Sequence, residues 1–353
     1  MRVVVLGATG NTGTALIQAL GGESRVTSIL GVARRRPAVG MPKVEWLAAD
    51  IAQADLAPIF DGADVVVHLA WLIQPSRDER ALLAVNVEGS RRVFDAVEAA
   101  GVPSLVYASS VGAYSPGPKD RAVDESWPTD GIASSFYARH KAEVERMLDG
   151  LERRARELRV VRVRPGLVFS RQAATGIRRL FLGPLFPSPL LHRGLIPVVP
   201  QLERLRFQAV HSADLAQAYR LAITGEARGA FNVAADPVID PEVLGELLRA
   251  RPVRIPAHVL RGAAAASWRL RLQPTPAGWV DLGLAVPVMD TSRAREELGW
   301  SPVRSATEAL EELIEGIRSG SGFPTPPLDP RTGGPLRRAE FRTGVGAASV
   351  ETR

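Results

Sequence analysis

Short apolar runs alternate with longer amphipathic stretches through roughly the first two thirds of the chain. Val3-Val4-Val5-Leu6 is an unbroken β-branched and apolar run, the pattern of a parallel strand buried on both faces. A helix is predicted over residues 12–20, where Gly21-Gly22 stops it. Strand-like runs recur at residues 26–33, 43–48, 63–69, 104–109 and 159–164. Between them, Leu82, Val85, Val93, Ala96 and Val97 sit near helical spacing within residues 78–100, and residues 135–157 read as one long helix. Strands alternating with helices require right-handed crossovers, which give a doubly wound parallel sheet with its ligand crevice at the C-terminal strand ends.

Beyond Arg164-Pro165-Gly166 the pattern changes. Residues 171–206 contain an apolar stretch from Leu180 to Leu191 too broken by proline for a long helix. It reads as part of a substrate cap, with an interfacial membrane contact as the other reading. Residues 209–224 return to strand then helix, with Asp214 as a cap or first-turn acid, and residues 230–234 make a short strand. Residues 236–318 are helical and punctuated by proline, ending in an amphipathic segment at 305–318. The Gly/Pro/Ser/Arg-rich residues 319–353 are expected to be disordered. The fold class is thus α/β, with a dinucleotide-type domain at 1–170 to which 207–235 return. A smaller, mostly helical C-terminal cap spans 171–206 and 236–318.

Composition narrows this picture. The chain has 353 residues, 46% of them hydrophobic, enough for a real core. Its net charge of +6 comes almost entirely from arginine, because Lys43, Lys119 and Lys141 are the three lysines. The arginines are scattered along the sequence without interleaved aromatics, so nucleic acid is not an expected partner. With no cysteine, disulfides, thiolate metal sites and a cysteine nucleophile are excluded. No run approaches the ~20 apolar residues of a membrane span, and a core strand starting at Arg2 leaves no room for a signal peptide; a soluble cytoplasmic protein is expected.

Three clusters carry chemistry. Gly7-x-x-Gly10-x-x-Gly13 follows the first strand and opens the first helix: one glycine for a tight turn, one for close approach to a pyrophosphate, one for helix packing. That helix N-terminus would offer Asn11, Thr12 and Gly13 amides and partial positive charge to phosphate, with Thr9 beside them. At the second strand's tip stands Arg34, where an acid would favour NAD and an arginine favours the 2′-phosphate of NADP. Lastly, Tyr137 and Lys141 share one face of the long helix; with four tyrosines and three lysines a chance Tyr-x-x-x-Lys is expected only about 0.03 times. A nearby ammonium can lower a phenol's pKa enough for proton transfer, and Ser109-Ser110 at the fifth strand's end would supply a hydroxyl to a substrate oxygen.

These residues resemble the extended short-chain dehydrogenase/reductases, the NAD(P)-dependent epimerase/dehydratase group with a Rossmann-type sheet. The likeness extends over residues 2–318 and also rests on Asp50-Ile51, His68-Leu69-Ala70, Asn86-Val87-Glu88-Gly89, Tyr107 to Tyr114, Arg164 to Phe169 and Asp290 to Pro302. It implies Ser110, Tyr137 and Lys141 as catalytic residues. It also implies a cofactor set of Gly7, Thr9, Gly10, Asn11, Thr12, Gly13, Arg34, Asp50, Ile51, Leu69, Ala70, Asn86, Tyr137, Lys141 and Pro165. Two departures matter. Val111-Gly112 stands where dehydratases carry an Asp-Glu pair, and Leu167 and Phe169 replace the Asn and Tyr usual in nucleotide-sugar members. The reading that results is an oxidoreductase interconverting a carbonyl and a secondary alcohol on a small, partly apolar substrate. NADP(H) is the preferred cofactor, with NAD(H) admitted, no metal is implied, and a homodimer is compatible. The alternatives are a nucleotide-sugar 4-epimerase holding NAD tightly and a non-catalytic dinucleotide sensor.

Overall fold

The computed structural model describes residues 1–186, 188, 191, 196–333, 338 and 340. Seven parallel strands form the central sheet: β1 (Arg2–Leu6), β2 (Ser28–Ala33), β3 (Val44–Ala48), β4 (Val65–His68), β5 (Ser104–Ala108), β6 (Arg159–Pro165) and β7 (Gly229–Val233). Their spatial order is β3-β2-β1-β4-β5-β6-β7. Val3 pairs with Ile29 on one side and Val65 on the other, so the winding reverses at β1 and opens a crevice beyond Leu6 and His68.

Both faces are covered, as the unbroken apolar runs require. On one face α1 (Asn11–Gly21) lies against α4 (Ser212–Thr224), with Leu16, Ile17, Leu20, Leu215, Ala218 and Tyr219 packed on Val3, Val5 and Val67. On the other, α2 (Ser90–Ala99) and α3 (Phe136–Arg154) bring Val93, Phe94, Val97, Val144 and Leu148 onto Val4, Val66 and Leu105. The helix expected over 78–100 is divided. Glu79–Leu83 is α-helical, Ala84–Gly89 is a π-helical turn, and α2 follows. The wide turn carries buried Asn86 inward.

Elsewhere the chain departs from its expected path. Phe207–His211 does not join the central sheet; it pairs in parallel with Leu167–Phe169 and antiparallel with Ala235–Ile239. Gly166 makes this crossing close, since a Cβ there would stand 2.5 Å from the Gln208 carbonyl oxygen. Only α4 and β7 return to the main domain. Val198–Gln201 and Arg251–Arg254 form a second small parallel pair, hidden in the sequence by Pro200 and Pro252. The cap also contains α5 (Ala257–Arg269), a short helix Gly278–Ala285, and α6 (Ala306–Ser319). The capping box at Ser305 and Glu308 fixes the start of α6.

The expectation of disorder from residue 319 fails over residues 319–333. Thr325 is fully buried and donates its hydroxyl to the Thr9 carbonyl at 2.9 Å, and Leu328 is buried as well. Apart from residues 338 and 340, the remainder of that tail, with residues 187, 189, 190 and 192–195 of the proline-rich segment, lies outside the described residues.

Candidate active site

The turn after β1 is shaped by its glycines. Gly7 has φ +80°, and a Cβ there would meet the Ala70 nitrogen at 2.7 Å; one at Gly13 would stand 2.8 Å from the Ala8 backbone and press on the Gly7 carbonyl. Gly10 is different. Its Cβ would meet only the Gly7 oxygen, at 3.5 Å, because that position faces the cleft. Among the described residues no side chain caps α1, and its first turn holds no carboxylate. Amide groups at the helix N-terminus therefore face the cleft without an anion from the protein, an arrangement that fits a dinucleotide pyrophosphate.

The cleft has a volume of about 330 Å³. Gly7, Thr9, Gly10, Asn11, Thr12, Gly13, Arg34, Asp50, Ile51, Leu69 and Ala70 all line it, so eleven sequence-predicted positions converge. Asp50 accepts from the Ala52 amide at 2.9 Å, which fixes the turn beside Ile51. Asn11 is tied down by donation to Val168 O at 3.2 Å and acceptance from Ser212 at 2.6 Å. Asn86, Tyr137, Lys141 and Pro165 are not in the lining. Asn86 instead holds both polar groups of the Leu72 backbone, accepting from its nitrogen at 2.7 Å and donating to its oxygen at 2.8 Å, so it positions the loop after β4. Pro165 ends β6 in register with Val233. Arg179 and Leu180 reach the lining from the segment expected to form a substrate cap, whereas Pro327 and Leu328 come from the final segment and had no signal in the sequence.

Trp71 closes the cleft on the side of Tyr137 and Lys141. Its ring lies 3.6 Å from Lys141 Nζ and meets the Tyr137 ring edge-on at 5.9 Å. Lys141 is buried, and its ammonium donates to Ala108 O at 2.6 Å and to the Tyr107 hydroxyl at 3.3 Å. It lies 5.9 Å from the Tyr137 ring centroid. Burial drives the ammonium pKa well below its ordinary value, and Glu145 opposes that shift. Tyr137 retains some exposed surface, yet desolvation of its hydroxyl raises the phenol pKa, with the Ser110 hydrogen bond acting in the opposite sense. The three predicted catalytic residues are therefore brought together, but the ammonium that was expected to hold the phenol pKa down is turned to Ala108 and covered by indole.

Ser109 and Ser110 have separate roles. Ser109 donates at 2.5 Å to Glu145, whereas Ser110 Oγ accepts from the Gly112 amide at 3.0 Å and faces Tyr137. Any side chain at Gly112 would crowd that pair, as a Cβ there would be 2.8 Å from the Tyr137 ring. Glu145 is fully buried on α3, receiving Arg164 through two nitrogens at 2.8 and 3.0 Å and Arg162 at 2.8 Å. Burial alone would raise its pKa; the two guanidinium groups and Ser109 prevail and hold it at about 2. Arg164 continues to the Tyr114 hydroxyl at 3.0 Å, and Tyr114 donates to Asn232 at 2.6 Å. The clue to Glu145 was available: it follows Lys141 by four residues, on the face already shared by Tyr137 and Lys141.

The cap completes the surroundings of Tyr137. Trp279 packs on its ring at 5.1 Å, and Phe181 meets Trp279 edge-on at 4.9 Å. Gln74 donates to Leu180 O at 2.9 Å and Pro274 O at 3.2 Å, and Ser76 donates to Pro274 O at 2.6 Å, which ties the loop after Trp71 to the cap. Among the described residues there is no cluster of side chains able to hold a metal ion.

Comparison with known proteins agrees with this architecture. The chain is 26% identical over 328 residues to an uncharacterized protein of Mycobacterium tuberculosis, matching 92% of this chain but spanning only 31% of that relative's length. It is 25% identical over 350 residues to the 3 beta-hydroxysteroid dehydrogenase/Delta 5-->4-isomerase of the same organism, with 89% of each covered. A UDP-glucose 4-epimerase of Thermus thermophilus in complex with NAD shares the fold, with a TM-score of 0.65, 22% identity, and 90% of this chain and 99% of that chain covered. MoeE5 in complex with UDP-glucuronic acid and NAD has a TM-score of 0.66 at 20% identity, with 90% and 99% covered. The family model for the NAD dependent epimerase/dehydratase family matches residues 3–234, the segment that carries the glycine loop, Ser110, Tyr137 and Lys141, and the chain belongs to that family.

Proposed function

We propose that the chain is an NAD(P)-dependent oxidoreductase that interconverts a carbonyl and a secondary alcohol on a small, partly apolar molecule. The observation that carries the substrate class is the packing of Trp71 and Trp279 on the Tyr137 ring, with Phe181 edge-on to Trp279, which makes the surroundings of the phenol aromatic. A nicotinamide dinucleotide, when bound, supplies or accepts the hydride. Tyr137 exchanges the proton with the substrate oxygen and Ser110 donates a hydrogen bond to that oxygen, while Lys141 stabilises the phenolate and reaches ribose hydroxyls only after leaving Ala108 O and the Trp71 ring that covers it. Burial raises the Tyr137 phenol pKa, which favours the protonated form that a carbonyl reduction consumes. Val111 and Gly112 supply no carboxylate next to Ser110, which argues against water elimination. Arg34 in the cleft beyond β2 supports NADP(H) over NAD(H).

A second reading, nucleotide-sugar 4-epimerisation with tightly held NAD, is favoured by the fold likeness to UDP-sugar epimerases. One experiment separates the two. Denatured protein is analysed for released cofactor, and the native protein is offered NADPH with apolar aldehydes and ketones, then UDP- and dTDP-sugars. Exchangeable NADP(H) with ketone turnover supports the reductase; copurified NAD with sugar epimerisation overturns it.

A further inference from the structure

The cap presents one face whose composition is opposite to that of an ordinary surface helix. Along α5 the exposed residues include the stripe Val259, Ala263 and Ala266, continued by Leu270 just after the helix, at helical spacing and flanked by exposed His258, Arg261 and Arg269, while Leu260, Ala264 and Trp268 turn partly inward. Val259 is 50% exposed and Leu270 70%; Val253 before the helix and Leu272 after it are 42% and 49% exposed. Large exposed apolar side chains gathered in this way mark an interaction surface.

Charge identifies the partner. From Glu246 to Asp281 the chain holds six arginines, at 249, 251, 254, 261, 269 and 271, and no carboxylate between those two acids. Arg261 pairs with Asp281 at 2.8 Å; among the described residues, Arg251, Arg254, Arg269 and Arg271 have no carboxylate partner and are exposed. We infer that the segment from Arg251 to Leu272 docks on an anionic lipid bilayer, with the Val259–Leu270 stripe entering the interface and the flanking guanidinium groups at the phosphates. A second copy of the chain fits poorly, because an isologous contact would set these arginines against one another. A nucleic acid would leave the apolar stripe unused. No helix among the described residues is long and apolar enough to cross a membrane, so the contact is peripheral.

The docking face is fastened to the active-site side of the molecule. Arg77 lies 4.2 Å over the Trp268 ring and bonds the Trp268 carbonyl, and the loop that follows α5 leads through Thr275 to Trp279 against Tyr137. Docking as such does not depend on the identity of the substrate.

The test is flotation of the full-length protein with phosphatidylcholine vesicles, with and without phosphatidylglycerol, read together with its sedimentation in the absence of lipid. Phosphatidylglycerol is expected to raise the floating fraction at least about tenfold, and high salt to reverse it. The fourfold variant R251E/R254E/R269E/R271E and, separately, Leu270→Ser with Leu272→Ser should each lose at least about tenfold in partition while retaining dinucleotide binding, since all six side chains are exposed. Absence of flotation, equal flotation on neutral vesicles, or flotation unchanged in both variants overturns the inference. A lipid-independent dimer, or RNA binding, that these substitutions abolish without any flotation of the parent also overturns it.

Discussion

The glycine loop offers the cleft its backbone: amides at the start of α1, a left-handed Gly7 and a Gly10 that faces the cleft. Around Tyr137 the protein uses side chains from segments far apart in the chain, with Trp71 after β4, Lys141 on α3, and Phe181 and Trp279 in the cap. The residues of the first half are consecutive in the chain, although Ala70, Val168, Ser212 and Thr325 close around them. The second exists only when four segments have packed, so its electrostatics answer to burial as much as to residue type.

The largest effect is expected at Gly10. Gly10→Val should leave the fold intact, since its added carbons face the cleft, and should abolish dinucleotide binding by filling pyrophosphate space. Equilibrium dialysis with NADPH and NADH checks this, and wild-type affinity in a folded variant would break the assignment of the loop. On the side-chain half, Tyr137→Phe should lower turnover by about 10² to 10⁴ while thermal stability and cofactor affinity stay near wild type. If affinity fell equally, Tyr137 would be a packing residue of the cleft.

Glu145 joins the two halves to stability. Glu145→Ala strands Arg162 and Arg164 without their buried partner and should cost about 3–5 kcal/mol in urea unfolding. Because the folded carboxyl pKa is depressed from 4.5 to about 2, its contribution is complete above 4.5 and disappears as pH falls through about 2. The difference between variant and parent should therefore narrow across that window; a difference independent of pH would separate the effect from the ion pair. The smallest effect is on cofactor choice. Arg34→Asp should weaken NADP(H) by more than about tenfold and leave NAD(H) little changed, the size of one charge-assisted contact. Equal losses would reduce Arg34 to a part of the rim.

The same contrast explains what could be read from sequence. β1 through β6 and the glycine loop were legible because short sequence patterns mark them: apolar runs, and glycines spaced three apart between a strand and a helix. Tyr137, Lys141 and Ser110 were legible as a spacing, but the direction of Lys141 was not. The ammonium turns to Ala108 because Trp71 covers it, and that contact joins residues 70 apart in the chain. Asn86 was visible as a residue and hidden as a role, since the loop it holds at Leu72 takes shape only beside a π-helical turn. The small strands at 198–201 and 251–254 contain proline, and their pairing joins segments about 50 residues apart in the chain.

The bond from Thr325 to the Thr9 carbonyl spans 316 positions, so the glycine loop is sealed by a segment that the ribosome makes much later. At synthesis rates of about 5–20 residues per second, the glycine turn waits about 15–60 s for the wall that Thr325 and Leu328 contribute. A nascent chain can thus hold a folded sheet whose cleft stays unfinished until Leu328 has emerged.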